Sequence, residues 1–236
     1  MKENYSDIVK EKYNQDYNRI LNVYENEYSH SDLIELLSSG SVPEKQAAVL
    51  KLEKLKNKSE VDVFMSNLTG CDGKIREAVS FRLPEFVKEN PEFFIDYEDI
   101  FLKAVIDING NICRNTISAL NYLKTQEIFA KNLTNKLLKF TLELIDKVSE
   151  FDIQDGKYKI NKEVFKLYWC LETIYVFCGT FNKRDLFNLL NKTKDIQDYT
   201  IREKTAKILT LLSSEDFDQI KVYLKADDNY YVRRFN

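Results

Sequence analysis

Asp72-Gly73-Lys74-Ile75-Arg76-Glu77-Ala78-Val79-Ser80-Phe81-Arg82-Leu83 decides how the chain is read, because versions of it return. Asn109-Gly110-Asn111-Ile112-Cys113 leads to Thr116 and Ala119-Leu120, and Asp198-Tyr199-Thr200-Ile201-Arg202 leads to Thr205 and Ile208-Leu209. Pro43 to Leu52 is a degenerate copy, and Asn229-Tyr-Tyr-Val-Arg233 opens a last one that the sequence does not complete. With Glu44, Ile75, Ile112 and Ile201 as position zero, +4 holds Ala48, Val79, Thr116 and Thr205. Position +8 holds Leu52, Leu83, Leu120 and Leu209, and +11 holds Leu55, Phe86, Leu123 and Leu212. Steps of four, four and three trace one face of an α-helix.

Val232 is the zero of the incomplete copy, and the zeros lie 31, 37, 89 and 31 residues apart. The long interval holds two units if a divergent copy starts near Val164. Such periods mark stacked helix pairs, in which one unit cannot cover its apolar face alone. The fold class expected is all-α: a superhelical solenoid of five to six repeats forming one domain over 1–236, with 1–30 as a capping helix.

Composition fits that reading. Six glycines and three prolines in 236 residues leave little room for long loops. A net charge of −3 with 31% charged residues gives a mixed-sign surface without bulk attraction to nucleic acid or anionic lipid. No apolar run reaches membrane-spanning length and the start Met-Lys-Glu-Asn-Tyr is polar, so the expected location is cytoplasmic.

Along the chain, helices are expected over 6–28, 31–38, 41–56 behind a Ser41–Glu44 capping box, and 59–70 capped at Ser59. The next runs over 74–89 with a kink at Pro84. Helices near 97–108 and 112–124 follow, then 125–148 with a break near Asn132. Phe151-Asp-Ile153-Gln-Asp155-Gly156-Lys-Tyr158-Lys-Ile160 alternates around an Asp-Gly pair, the pattern of a β-hairpin inserted at 151–160. Helices over 161–178, 183–191, 199–212, 214–225 and 230–235 complete the series.

Asp-Gly-Lys-Ile-Arg, with a small residue at +4 and an apolar one at +8, resembles the second helix of a HEAT repeat. Asp198 to Leu209 and the opening Asn229 to Arg233 resemble it too. The likeness covers roughly residues 40–236 and implies the armadillo-type α-solenoid architecture, not one activity. It implies that Asp72, Arg76, Asp198, Arg202, Asp228 and Arg233 form a hydrogen-bonded ladder between repeats, interrupted at Asn109 and Cys113. Helix physics agrees: a carboxylate at a helix start meets free amides and a favourable dipole.

Chemical constellations are sparse. His30, the one histidine, sits in Ser-His-Ser and reads as an exposed loop residue without a partner. Cys71, Cys113, Cys170 and Cys178 form no Cys-x-x-Cys pair and read as reduced, mostly buried side chains, so no metal ligands, catalytic residues or cofactors are assigned. Lys51, Lys54, Lys56 and Lys58 read as a solvated patch.

One helix stands apart. Over Val164–Gly179, Phe165, Tyr168, Trp169, Glu172 and Val176 share one face, while Leu167, Cys170, Leu171, Ile174 and Cys178 share the other. A helix apolar all round is buried on both sides. Glu172 then needs a Lys, Arg or Tyr partner from a neighbouring helix, or serves as a site carboxylate with a raised pKa. The expected function is a non-catalytic protein-binding scaffold using its concave face. The candidate site is Tyr158, Phe165, Tyr168, Trp169, Glu172 and Tyr175, with the hairpin either contacting the partner or packing back to cover this helix. The alternative is a DNA-binding protein resembling HEAT-like alkylation-repair glycosylases, which use a basic groove with aromatics and a carboxylate. Against it, +2 holds Gln46, Glu77, Arg114 and Glu203, and +10 holds Lys54, Glu85, Tyr122 and Leu211, a mixture without clustered cations. A purely structural subunit is a third reading.

Overall fold

A Ser, Asn or Asp stands immediately before most of the helices, and that spacing of caps sets the architecture. In the computed structural model, which describes residues 5–149 and 162–235, thirteen α-helices and three short 3₁₀ turns occur and no strand is found among the described residues. The hairpin expected at 151–160 lies outside the described residues. The chain divides into two compact units, Met1–Ile100 and Phe101–Asn236.

The first unit holds α1 (Tyr5–Glu25), α2 (His30–Ser39), α3 (Val42–Lys51), α4 (Lys58–Leu68), α5 (Gly73–Glu89) and the 3₁₀ turn Pro91–Phe94. The pairs are α2 with α3 and α4 with α5; α3 also packs on α5, and α1 lies against α3. Ser29 closes a capping box with Asp32, and the Ser41 amide donates to Glu44 Oε2 at 2.7 Å. Asn57, not Ser59, caps α4. Helix α3 ends at Lys51 rather than near Lys56, because Leu52 turns extended and Arg82 takes the carbonyls of Leu50 and Leu52 at 2.9 and 2.8 Å. Helix α5 runs on through Pro84 to Glu89.

Two polar expectations are corrected here. His30 is not an exposed loop residue: it opens α2, and its Nε2 lies 2.9 Å from Glu60 Oε2 with 23% of its side chain exposed. Glu60 also accepts from the Lys56 amide, and these bonds outweigh burial to lower its pKa. Nor are all four lysines of the 51–58 patch merely solvated. Lys51 donates to the Val23 and Asn26 carbonyls, both at 2.8 Å, closing the end of α1, and Lys58 pairs with Asp96.

Helix α6 (Glu98–Val105) begins in the first unit and ends in the second. The second unit continues with α7 (Gly110–Leu123), α8 (Glu127–Ser149), α9 (Lys162–Val176), α10 (Lys183–Thr193), α11 (Tyr199–Leu209), α12 (Asp218–Lys225) and α13 (Tyr230–Arg233). Its pairs are α8 with α9, α10 with α11 and α12 with α13, and the second helices pack side by side in the order α7, α9, α11, α13. The break expected near Asn132 is absent, since α8 is unbroken and Thr134 returns its hydroxyl to the Ala130 carbonyl at 2.8 Å. Each unit is thus a stack of packed helix pairs.

The periodic columns are the core. Ala48, Val79, Thr116 and Thr205 at +4 are buried, as are Leu52, Leu83, Leu120 and Leu209 at +8. At +4 of α11, Thr205 Oγ1 bonds Thr193 Oγ1 of α10, the first helix of its pair, at 2.8 Å. Helix α9 obeys the pattern with Lys166, not Val164, as zero: Cys170, Ile174 and Phe177 then fall at +4, +8 and +11, all buried.

Candidate functional site

The helix starts place the first group of assigned residues. Asp72 accepts from the amides of Lys74 and Ile75 at 2.8 and 3.1 Å, and Arg76 reaches the Gly70 and Cys71 carbonyls at 2.9 and 3.1 Å. Asp198 accepts from the Thr200 amide at 2.8 Å, while Arg202 Nη1 donates to the carbonyls of Ile196 and Gln197. Arg202 also crosses to the next loop, with Nε 2.6 Å and Nη2 3.2 Å from the two oxygens of Asp227. Arg233 returns to the Asp227 carbonyl at 2.5 Å.

Asp228 does not take the ladder position. Asn229 is the cap, four residues before Arg233, and Asp227 carries the charge, so the expected assignment is one residue out of register. Asp227 accepts from the Asn229 amide at 2.8 Å as well, and with Arg202 beside it its carboxyl is held below the usual carboxylate range. At the departure from the pattern, Asn109 caps α7 and Cys113 Sγ donates to the Asp107 carbonyl at 3.1 Å.

The second group lies on α9. Tyr158 lies outside the described residues. Trp169 is only 9% exposed, packed edge-on between Phe165 and Tyr168 with ring centroids 6.1 and 5.1 Å away. Its Cζ2 comes within 3.4 Å of where a Cβ on Gly110 would stand, so the indole fills the space glycine leaves at the start of α7. It is therefore interior and not a contact residue. Among the described residues its buried Nε1 has no hydrogen-bond partner.

Tyr168, Glu172 and Tyr175 are half-buried and face α11. Glu172 pairs with Lys204, and Lys207 Nζ lies 3.0 and 3.3 Å from its two oxygens. Lys204 stands 4.5 Å from the Tyr168 ring centre, and Lys207 4.3 Å from that of Tyr175. The two ammonium groups thus bridge the carboxylate and the aromatic faces on either side of it. Burial alone raises the carboxyl's pKa, but the bonds from Lys204 and Lys207 outweigh it and lower it, while Lys204 is raised in turn. Glu172 is an ion-paired carboxylate, and it lacks the raised pKa of a site acid.

A register for α9 zeroed at Val164 hides these lysines. With Lys166 as zero, Glu172 and Lys207 occupy the same +6 position on adjacent second helices, and Lys204 at +3 leans toward α9. Farther along the row, Arg234 Nη2 bonds Glu203 Oε1 at 2.6 Å, and Tyr231 lies 6.2 Å from Tyr199. Among the described residues no group of three His, Cys, Asp or Glu side chains could hold a metal ion. No described helix is long and apolar enough to cross a membrane.

No family model and no curated protein matches the sequence. Among solved structures, an archaeal HEAT-like repeats protein from Thermococcus onnurineus NA1 is similar, with TM-score 0.47 and 13% identity over 89% of this chain and 78% of that one. An engineered protein is similar to the same degree, with TM-score 0.47 and 13% identity, covering 89% of this chain and 94% of that one.

Proposed function

We propose that the chain is a non-catalytic protein-interaction scaffold and that a partner docks on the exposed side of the second-helix row around α9 and α11. The observation supporting this reading is the half-buried set of Tyr168, Tyr175 and Lys207 around the buried Lys204. Rings stiffened by neighbouring cations offer contact area at low entropic cost, and aromatic side chains are enriched among binding hot spots. Tyr199, Leu211 and Tyr231 extend the face with exposed apolar surface.

The signs along the face are mixed, with Glu203 beside Arg234 and Glu172 beside its lysines, which favours a protein over a nucleic acid. Affinity purification with mass spectrometry, comparing wild type with Tyr175→Ala, tests the reading. The expected result is a discrete partner held by wild type and lost by the variant, with melting temperatures agreeing to within about 4 °C, the shift of a ~1 kcal/mol change. A partner retained by a folded Tyr175→Ala would overturn it.

A further inference from the structure

One carboxylate on this face serves two ammonium groups. Glu172 pairs with both lysines, and Lys204 is the more buried, 11% exposed against 27% for Lys207. Among the described residues neither lysine has a second carboxylate within ion-pairing distance. The half-buried cluster therefore carries one positive charge more than it neutralises, in surroundings where an unpaired charge is costly.

Lys207 is the cation that can be shared. Its side chain is the more exposed of the two, its ammonium stands 4.3 Å from the Tyr175 ring centre, and its flexible four-carbon stem lets that head turn outward while Lys204 stays on Glu172.

We infer that Lys207 is an anion hook: a Glu or Asp side chain from an acidic segment of the partner protein binds its ammonium, while Glu172 keeps Lys204 and Tyr175 packs against the segment's apolar residues. Two carboxylates then face two ammonium groups. This rests on the docking reading above. The chemistry is that of a single carboxylate rather than a phosphate backbone, because one surplus cation beside the Glu172 carboxylate cannot follow a row of phosphates.

The test uses the full chain and three fluorescein-labelled probes in low salt: a short peptide alternating Glu and Leu, the same peptide with Lys for Glu, and a short DNA duplex. Fluorescence polarisation should show binding of the acidic peptide alone. Lys207→Gln should weaken it about tenfold, the scale of one lost charge-assisted hydrogen bond, and Lys207→Arg should restore most of it. Glu172→Gln should tighten binding, since it removes the internal competitor. If that variant fails to fold, the Gln and Arg pair at Lys207 still decides. Equal binding by wild type and Lys207→Gln, or a Lys207-dependent preference for the duplex, overturns the inference. A partner lost by Tyr175→Ala but untouched by Lys207→Gln would leave the docking face standing without its hook. Acidic-peptide binding through Lys207 with partner capture indifferent to Tyr175→Ala would do the reverse.

Discussion

At the start of α7 the residue four after the cap is a thiol, and Cys113 donates a single bond, to the Asp107 carbonyl. At the same place in α11 stands a guanidinium, and Arg202 donates to two carbonyls of its own loop and two oxygens of Asp227 in the next. Both helices begin behind an Asx cap and bury the same columns. The difference separates two jobs that one arginine performs together. Folding the loop back on the helix needs only a donor at this position, which sulfur supplies weakly. Tying one repeat to the next needs a second, charged arm.

The shared part should fail equally on both helices. Leu120→Ala and Leu209→Ala each empty a fully buried +8 position, and each should cost roughly 2–5 kcal/mol in urea unfolding. A cost below about 1 kcal/mol at one of them would show that α7 and α11 do not occupy equivalent places.

The distinct part should fail unequally. Arg202→Ala leaves the Asp227 carboxylate, 7% exposed, without its cation and frees two carbonyls, so a loss of about 3 kcal/mol is expected. Cys113→Ala removes one weak donor and should cost about 1 kcal/mol. Arg202→Lys keeps the charge but not the fork and should fall between alanine and wild type. Arg202→Ala costing no more than Cys113→Ala would mean that the bridge to Asp227 contributes nothing.

The shared part was legible in the sequence and the distinct part was not, for a physical reason. Burial columns follow from 3.6-residue periodicity, so Ile75, Val79 and Leu83 announce themselves without knowledge of the neighbours. Pairings across repeats depend on register between helices, which periodicity within one helix does not fix. Hence the motif points to Asp228 where Asp227 serves, and the α9 sequence shows Glu172 without Lys204 and Lys207. In α9 the apolar character on every side removed the contrast that sets a register, and Trp169 looked like a contact residue although it plugs the space beside Gly110. His30 misled differently: its partner Glu60 lies on another helix, at a separation no local motif encodes.

The two helix starts should also respond to opposite ends of the pH scale. The Asp227 carboxyl is held below its ordinary value, so its contribution is complete above about pH 4, the unfolded carboxyl's range, and is lost as pH falls through the folded pKa. Arg202→Ala should therefore cost less in acid than at pH 7. Burial pushes the Cys113 thiol up to about 12 from an ordinary value near 9, with the Asp107 charge adding to the shift. A raised thiol works the other way. Its contribution is intact below about pH 9, and above it the unfolded chain ionises while the folded one stays protonated, so stability falls by up to about 1.4 kcal/mol per pH unit. The small deficit of Cys113→Ala should then shrink as pH rises from 9 toward 11 and finally change sign, because the variant has no thiol to ionise. Cys178 is raised by burial and steepens the alkaline fall of both proteins alike. Cys170, raised mainly by burial, is also pushed up by Cys113, so the difference between their urea midpoints reads Cys113 together with that push on Cys170. A deficit constant from pH 7 to 11 would mean that the thiol is not held protonated at the start of α7.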